Sequence, residues 1–238
     1  AVERSRGLGD VYKRQAPDYV YVHETEKDNF VEACKTQVNE FYSDLKYNPD
    51  YTSVINQKHY DRLNGLLSDA KDHGAKLVEI NPANEDFSQQ ESHKIPPTLV
   101  LNPTDEMQIM KEEIFGPLLP IKTYKDINEP INYINKNDKP LGLYYFGNNK
   151  NEEEKVVNST TSGGVTVNDI MGHIQQNELG FGGVGPSGMG KYDGFDGFMN
   201  FSNNKPIYKQ IGFGLDKLLD AIRPPYKGNI EDLSLIHI

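Results

Sequence analysis

The spacing of apolar residues changes period repeatedly along the chain, and each change marks a short element. Between Asp18 and His23 tyrosines and valines alternate, which predicts a strand. From Lys27 to Lys46 the residues Phe30, Cys34, Val38, Phe41 and Leu45 recur at intervals of three and four, predicting a helix with one buried face. Asn48-Pro49 closes it, because a proline disfavours helical backbone at the residue before it. His59 to His73 carries Leu63, Leu66, Leu67 and Ala70 as a second amphipathic helix, with Gly74 as its C-terminal stop. Leu77 to Ile80 and Thr98 to Leu101 read as strands, and the polar stretch from Asn81 to Lys94 between them reads as a surface loop.

The second half repeats the alternation. Leu118 to Tyr124 is a strand, Asp126 to Lys136 a helix capped by its aspartate, and Gly142 to Phe146 a strand. Asn151 to Thr160 is a polar helix ended by Gly163-Gly164, and Val165 to Asn168 is a further strand. A long glycine-rich connection follows from Asp169 to Gly190, and Gly212 to Ile222 reads as a short helix. Strands alternating with helices predict an α/β domain with a largely parallel sheet and flanking helices.

Composition narrows the function. With 36% apolar residues among 238, the chain can bury a substantial core. A formal charge of −10 and a pI near 5.1 argue against nucleic acid as a partner. No run of 18 apolar residues exists to span a membrane. Cys34 is the one cysteine, so there is neither a disulfide framework nor a thiolate metal cluster, and a cytoplasmic location is expected. His59, His73 and His93 are scattered without metal-ligand spacing, so no metal is implied. Residues 1–15 and 233–238 show no periodicity that ties them to the core and are read as a non-native leader and tail.

The candidate chemistry centres on the turn Glu112 to Pro117 (EEIFGP). A carboxylate beside a Phe, held at the mouth of a strand, can grip sugar hydroxyls with one group and lean on a flat ring with the other, a pairing that suits a nicotinamide nucleotide. Taken alone, the six residues read sooner as a helix end with solvated acids and a core Phe; it is the motifs that accompany them which favour the nucleotide. Two further stretches follow in order, Ser162 to Asp169 (SGGVTVND) and Leu179 to Gly190 (LGFGGVGPSGMG). With Lys111 to Pro117 they resemble the aldehyde dehydrogenase superfamily, over roughly Ala16 to Gln210. Ala16 to Tyr19 (APDY), Asn48 to Tyr51 (NPDY), Leu143 to Gly147 (LYYFG) and Arg223 to Tyr226 (RPPY) are most similar to its coniferyl aldehyde dehydrogenase branch.

The resemblance implies a catalytic domain of the aldehyde dehydrogenase fold over residues 16–205, and a C-terminal segment, 206–232, that makes subunit contacts in a homodimer or larger homo-oligomer. It implies NAD or NADP as cofactor and a small-molecule aldehyde as substrate. Glu113 would accept hydrogen bonds from the nicotinamide ribose, Phe115 would brace the nicotinamide ring, and Glu112 would be the solvated neighbour. Asn168 and His173 would flank the substrate cavity, with a loop histidine bonded to backbone as the equal alternative for His173. The family pattern of Cys, one residue, then Ala-Pro-Asp places the nucleophile at Arg14, whose guanidinium cannot attack a carbonyl.

No catalytic residue is therefore assigned, and the chain reads as an inactive fragment of an oxidoreductase, the base and oxyanion donor belonging to a half N-terminal to the missing thiol. A non-catalytic module that pairs with full-length subunits is the alternative. Cys34 lies on an apolar stripe and reads as core rather than nucleophile. Gly183 to Gly188 (GVGPSG) satisfies a dinucleotide-loop pattern, but Pro186 interrupts it and no helix opens behind it. The aromatic series Phe195, Phe198, Phe201 and Tyr208 is expected to pack a domain edge, and an exposed apolar surface is expected elsewhere.

Overall fold

The computed structural model describes residues 17–209, of which 17–201 fall in one compact unit and 202–209 in a second, where they form no helix or strand. The first unit runs β1 (Val20–His23), α1 (Lys27–Phe41), α2 (Gln57–Asp72), β2 (Lys76–Glu79), β3 (Thr98–Leu101) and β4 (Leu118–Tyr124). It continues with α3 (Asn128–Lys136), β5 (Gly142–Tyr145), α4 (Lys150–Ser159), β6 (Gly164–Val167) and α5 (Gly194–Asn200). The strands make two sheets where one was expected. In the four-stranded sheet, ordered β1-β4-β3-β2, β4 runs parallel to both β1 and β3 while β2 is antiparallel to β3. β5 and β6 pair in parallel by themselves, with Gly142 opposite Gly164.

β3 shows how the sequence builds the layers. Alternate side chains of a strand point to opposite faces. Leu99 and Leu101 join Val31, Ile121 and the half-buried Phe30, Cys34 and Val38 under α1. Val100, between them, joins Leu63, Leu66 and Ala70 of α2. The sheet is thus covered on both faces, which is why β3 is buried along its whole length. A third cluster packs Ile131 and Ile134 of α3 and Val156 of α4 against Tyr19, Leu143 and Tyr145. Pro120 sits inside β4, but it precedes the first β1–β4 pair, Val20 opposite Ile121, so at its level the strand is paired with β3 alone.

Three local expectations are corrected. α1 ends at Phe41, not Lys46; Phe41 is 69% exposed, and the fully buried Leu45 enters the core from a bend after the helix. The backbone groups that a longer helix would use are taken by side chains of the polar loop. Glu85 Oε2 accepts the Leu45 and Lys46 N–H groups at 2.6 and 3.0 Å, and the buried Lys94 ammonium donates to the Leu45 and Asn48 carbonyls at 3.0 and 2.6 Å. The stretch from Asn81 to Lys94 is therefore a clamp as well as a surface loop. Gly163 and Gly164 do not end α4, which stops at Ser159; Gly164 opens β6 with Gly163 just before it, and at both neighbours leave no room for a side chain. α5 forms in a stretch read only as aromatic edge packing.

Other ends follow their residues. Ala75 and Gly74 donate back to Ala70 and Lys71 at 2.9 and 3.0 Å, with Gly74 at φ +88°, a left-handed cap of α2. Asp126 accepts the Asn128 N–H at 2.7 Å while Glu129 accepts the Asp126 N–H at 3.1 Å, a reciprocal cap at the start of α3. No helix among the described residues is long and apolar enough to cross a membrane. The helix expected over Gly212 to Ile222 lies outside the described residues, as do residues 1–15.

Candidate functional site

The turn from Glu112 to Pro117 leads directly into β4, and its shape is set from outside. Ile114, 2% exposed, anchors it in the core under α2. The Ile114 N–H donates to Asp18 Oδ1 at 2.9 Å, from the segment that leads into β1. Arg62 of α2 donates through one guanidinium nitrogen to the Glu113 carbonyl at 3.1 Å and through the other to the Ile114 carbonyl. The same guanidinium lies 3.7 Å from the Glu112 carboxylate. Leu63, the next residue of α2, fills the space beside Gly116, where an added Cβ would come within 2.5 Å of its Cδ2.

Within that frame Glu112 is exposed and ion-paired with Arg62, and Glu113 is half-buried. Phe115 stands at φ +49° and is 46% exposed. A left-handed conformation is unfavourable for a bulky L-residue, and it turns the Phe115 side chain away from the direction a regular strand would give it. The turn therefore carries an acid and an aromatic residue on a backbone fixed from two sides. Sequence reasoning found the acid and the ring but missed Arg62 and Asp18. Their contacts run to backbone atoms 51, 52 and 96 residues away, and no local motif signals such a bond.

Asn168 and His173 belong to a different pair of elements. Asn168, at φ +55° just past β6, accepts the Gly147 N–H at 2.9 Å and donates to the Gly147 carbonyl at 3.0 Å, clamping the end of β6 to the chain leaving β5. His173 is 8% exposed; its Nδ1 is 2.7 Å from Thr166 Oγ1 of β6, which also accepts the His173 N–H at 3.1 Å. Its ring stacks on Phe181 at 6.1 Å and lies over Gly164. Its partner is thus a side-chain hydroxyl rather than backbone, and burial pushes the imidazole below its ordinary range. Nε2 is buried with no hydrogen-bond partner.

The glycine-rich connection after β6 bends on itself. Phe181 and Tyr192 exchange backbone hydrogen bonds at 2.6 and 2.9 Å, and the buried Ser187 hydroxyl accepts the Val184 N–H at 2.8 Å within the turn closed by Gly185 and Gly188. Gly183 to Gly188 is thus a tight turn and opens no helix. Cys34 packs among α1 side chains and the sheet, and burial raises its thiol pKa. The aromatic series does not pack an edge within the described residues: Phe195, Phe198 and Phe201 are 72%, 66% and 90% exposed, and the first two stack on each other. No group of three or more His, Cys, Asp or Glu residues able to hold a metal occurs among the described residues.

The model of the aldehyde dehydrogenase family matches residues 15–207. A probable coniferyl aldehyde dehydrogenase of Caulobacter vibrioides is 50% identical over 211 residues, 89% of this chain and 43% of that protein. A coniferyl aldehyde dehydrogenase of a Pseudomonas species is 44% identical over 245 residues, 98% of this chain and 50% of that protein. Among solved structures, the substrate-bound state of Staphylococcus aureus AldH superposes with a TM-score of 0.70 at 36% identity, covering 94% of this chain and 46% of that one. The chain spans about half the length of the curated relatives it matches. With the family model matched from Gln15 through β6 and beyond, the chain belongs to the aldehyde dehydrogenase family, a family of oxidoreductases.

Proposed function

We propose that this chain carries the nicotinamide-facing wall of an NAD(P)-dependent enzyme that oxidises an aromatic aldehyde of coniferyl type to its acid, and that the chain by itself does not turn over. The observation that supports the first part is the turn before β4. Its half-buried Glu113 and 46% exposed Phe115, on a backbone held by Arg62 and Asp18, fit the hydroxyls and flat ring of a nicotinamide ribose. Glu113 would accept the ribose hydroxyls and Phe115 would support the ring. Bound there, the nicotinamide supplies the electron-pair acceptor for aldehyde oxidation. The choice of an aromatic aldehyde is taken from the relatives' names. Homo-oligomeric assembly and a cytoplasmic location belong to the same reading.

The inactivity follows from Cys34, the sequence's only cysteine. A nucleophilic thiol needs a setting that favours the thiolate, and burial at Cys34 does the reverse. Two assays test the proposal. The purified chain, given coniferyl aldehyde and NAD or NADP, is expected to form no NAD(P)H; turnover that Cys34→Ser abolishes would overturn this part. A chimera carrying residues 16–209 in place of the matching part of the Caulobacter relative is expected to oxidise coniferyl aldehyde, with Glu113→Gln and Phe115→Ala raising KM for the dinucleotide. A folded chimera without activity, or one indifferent to both substitutions, would refute the assignment of the turn. A silent module that pairs with full-length subunits is the second reading, favoured by the exposed Phe195 and Phe198; it requires the purified chain to bind the Caulobacter relative.

A further inference from the structure

We infer that Arg62 and Asp18 are positioning residues that together hold the Glu113–Phe115 turn in its ligand-facing shape. This deepens the nicotinamide reading given above and rests on it for the identity of the ligand. Three observations converge. First, the turn's inner side is pinned by backbone hydrogen bonds to side chains: Arg62 takes the Glu113 and Ile114 carbonyls, and Asp18 takes the Ile114 N–H. Second, the intervening Ile114 is 2% exposed, so its peptide groups have little access to water and depend on these partners. Third, Phe115 is held at φ +49°, a conformation that a non-glycine residue keeps only when its surroundings enforce it.

The two anchors come from different parts of the fold. Arg62 lies on α2, whose next residue, Leu63, packs where a side chain at Gly116 would be. A guanidinium is suited to the task because its planar fork reaches two carbonyls at once while its charge faces the Glu112 carboxylate at 3.7 Å. A lysine at the same place would keep the charge but carry its donors on one atom rather than on the two nitrogens that reach the carbonyls at 113 and 114, so it would not reproduce both bonds. Asp18 stands four residues after position 14, where the family pattern sets the nucleophile, and leads into β1. Its bond to Ile114 therefore ties the segment downstream of the reacting position to the turn that faces the cofactor. Loss of either anchor should free the ring and the acid without unfolding the sheet behind them.

Amide hydrogen exchange on the full chain reads this directly. Arg62→Lys and Asp18→Ala are each expected to speed exchange in the peptide covering residues 111–117 by on the order of tenfold, the loss of one charge-assisted bond. Exchange in β3 should stay as it was. Asp18→Asn keeps an acceptor oxygen without the charge and should recover part of the protection that Asp18→Ala loses. If Asp18→Ala loses protection in β3 as well, Arg62→Lys decides. An unchanged turn in the folded Arg62→Lys protein, or acceleration spread equally over turn and β3, would overturn the proposal.

A second arm uses nicotinamide mononucleotide and saturation-transfer NMR. The wild-type chain should give a signal that Phe115→Ala and Arg62→Lys both weaken. A signal that Arg62→Lys leaves intact would overturn the positioning role. A signal that Phe115→Ala leaves intact, or none with the wild type, would overturn the nicotinamide reading and leave the exchange result to decide the anchoring.

Discussion

Gly164 offers a stringent test of how the region after β6 is packed. Its backbone is not left-handed, so Gly164→Ala introduces no conformational strain of its own. What it introduces is a methyl inside contact distance of His173 Cδ2 and 2.8 Å from Nε2. The ring cannot simply swing away, because it is 8% exposed, tied to Thr166 at 2.7 Å and stacked on Phe181. Overpacking of this kind costs about 1–3 kcal/mol. If the ring moves, the Thr166 bond adds about 1 kcal/mol. The expected loss is therefore about 2–4 kcal/mol, which in a domain of this size lowers Tm by roughly 4–16 °C. Urea denaturation of wild type, Gly164→Ala, His173→Ala and the double variant closes a cycle. Removing the ring should relieve the methyl, giving a coupling of about 1.5 kcal/mol or more. Additive losses, within about 0.5 kcal/mol, would show that the two residues do not meet and would refute the packing of the His173 ring over Gly164.

Three further outcomes are expected. Burial holds His173 below its ordinary 6.5, so the unfolded chain binds more protons as pH falls past that value. Stability should then be complete above 6.5 and decline from there toward the lower folded-state value, and His173→Gln should show a shallower decline over the same window; parallel profiles would contradict this. Gly74→Ala meets no atom within 4 Å but must adopt φ +88°, so thermal unfolding should reveal a cost of about 1 kcal/mol from backbone conformation alone. Lys94→Met strands the Leu45 and Asn48 carbonyls and should cost about 1–3 kcal/mol in urea, with proteolysis first appearing between Phe41 and Tyr51; undiminished stability would remove the clamp.

Periodicity made most elements legible, since the stripes on α1 and α2 and the apolar runs of β3 and β4 each obey a local rule. It failed at Leu45, which fits the helical spacing but is delivered to the core by Glu85 and Lys94, some 40 and 49 residues away. It failed again at Gly163 and Gly164. Paired glycines after a polar helix suggest a stop, yet the need here is for room, against Leu141 and Gly182 backbone at one and the His173 ring at the other. The acid and ring of the turn were visible because they form a motif. Arg62 was not, since an arginine on a half-exposed helix face has many possible uses and only the fold brings it to the carbonyls at 113 and 114.

The left-handed residues sharpen the distinction between side chains the fold needs and side chains it merely tolerates. Phe115, Asn168 and Asp193 all stand at positive φ, where glycine would stand at lower cost, on the order of 1 kcal/mol each. A position that keeps a side chain against that cost needs a return on it. At Asn168 the return lies within the chain, two hydrogen bonds to Gly147 that join β5 to β6. At Phe115 burial supplies less, because a residue 46% exposed buries less than a core phenylalanine. The difference makes the two candidates testable apart: the hydrogen bonds of Asn168 serve the architecture, and the exposed part of Phe115 is what the proposed function assigns to a ligand. Asn168→Gly should accordingly weaken the fold, with the two lost bonds outweighing the relaxed backbone, and a variant as stable as the wild type would return Asn168 to the substrate side.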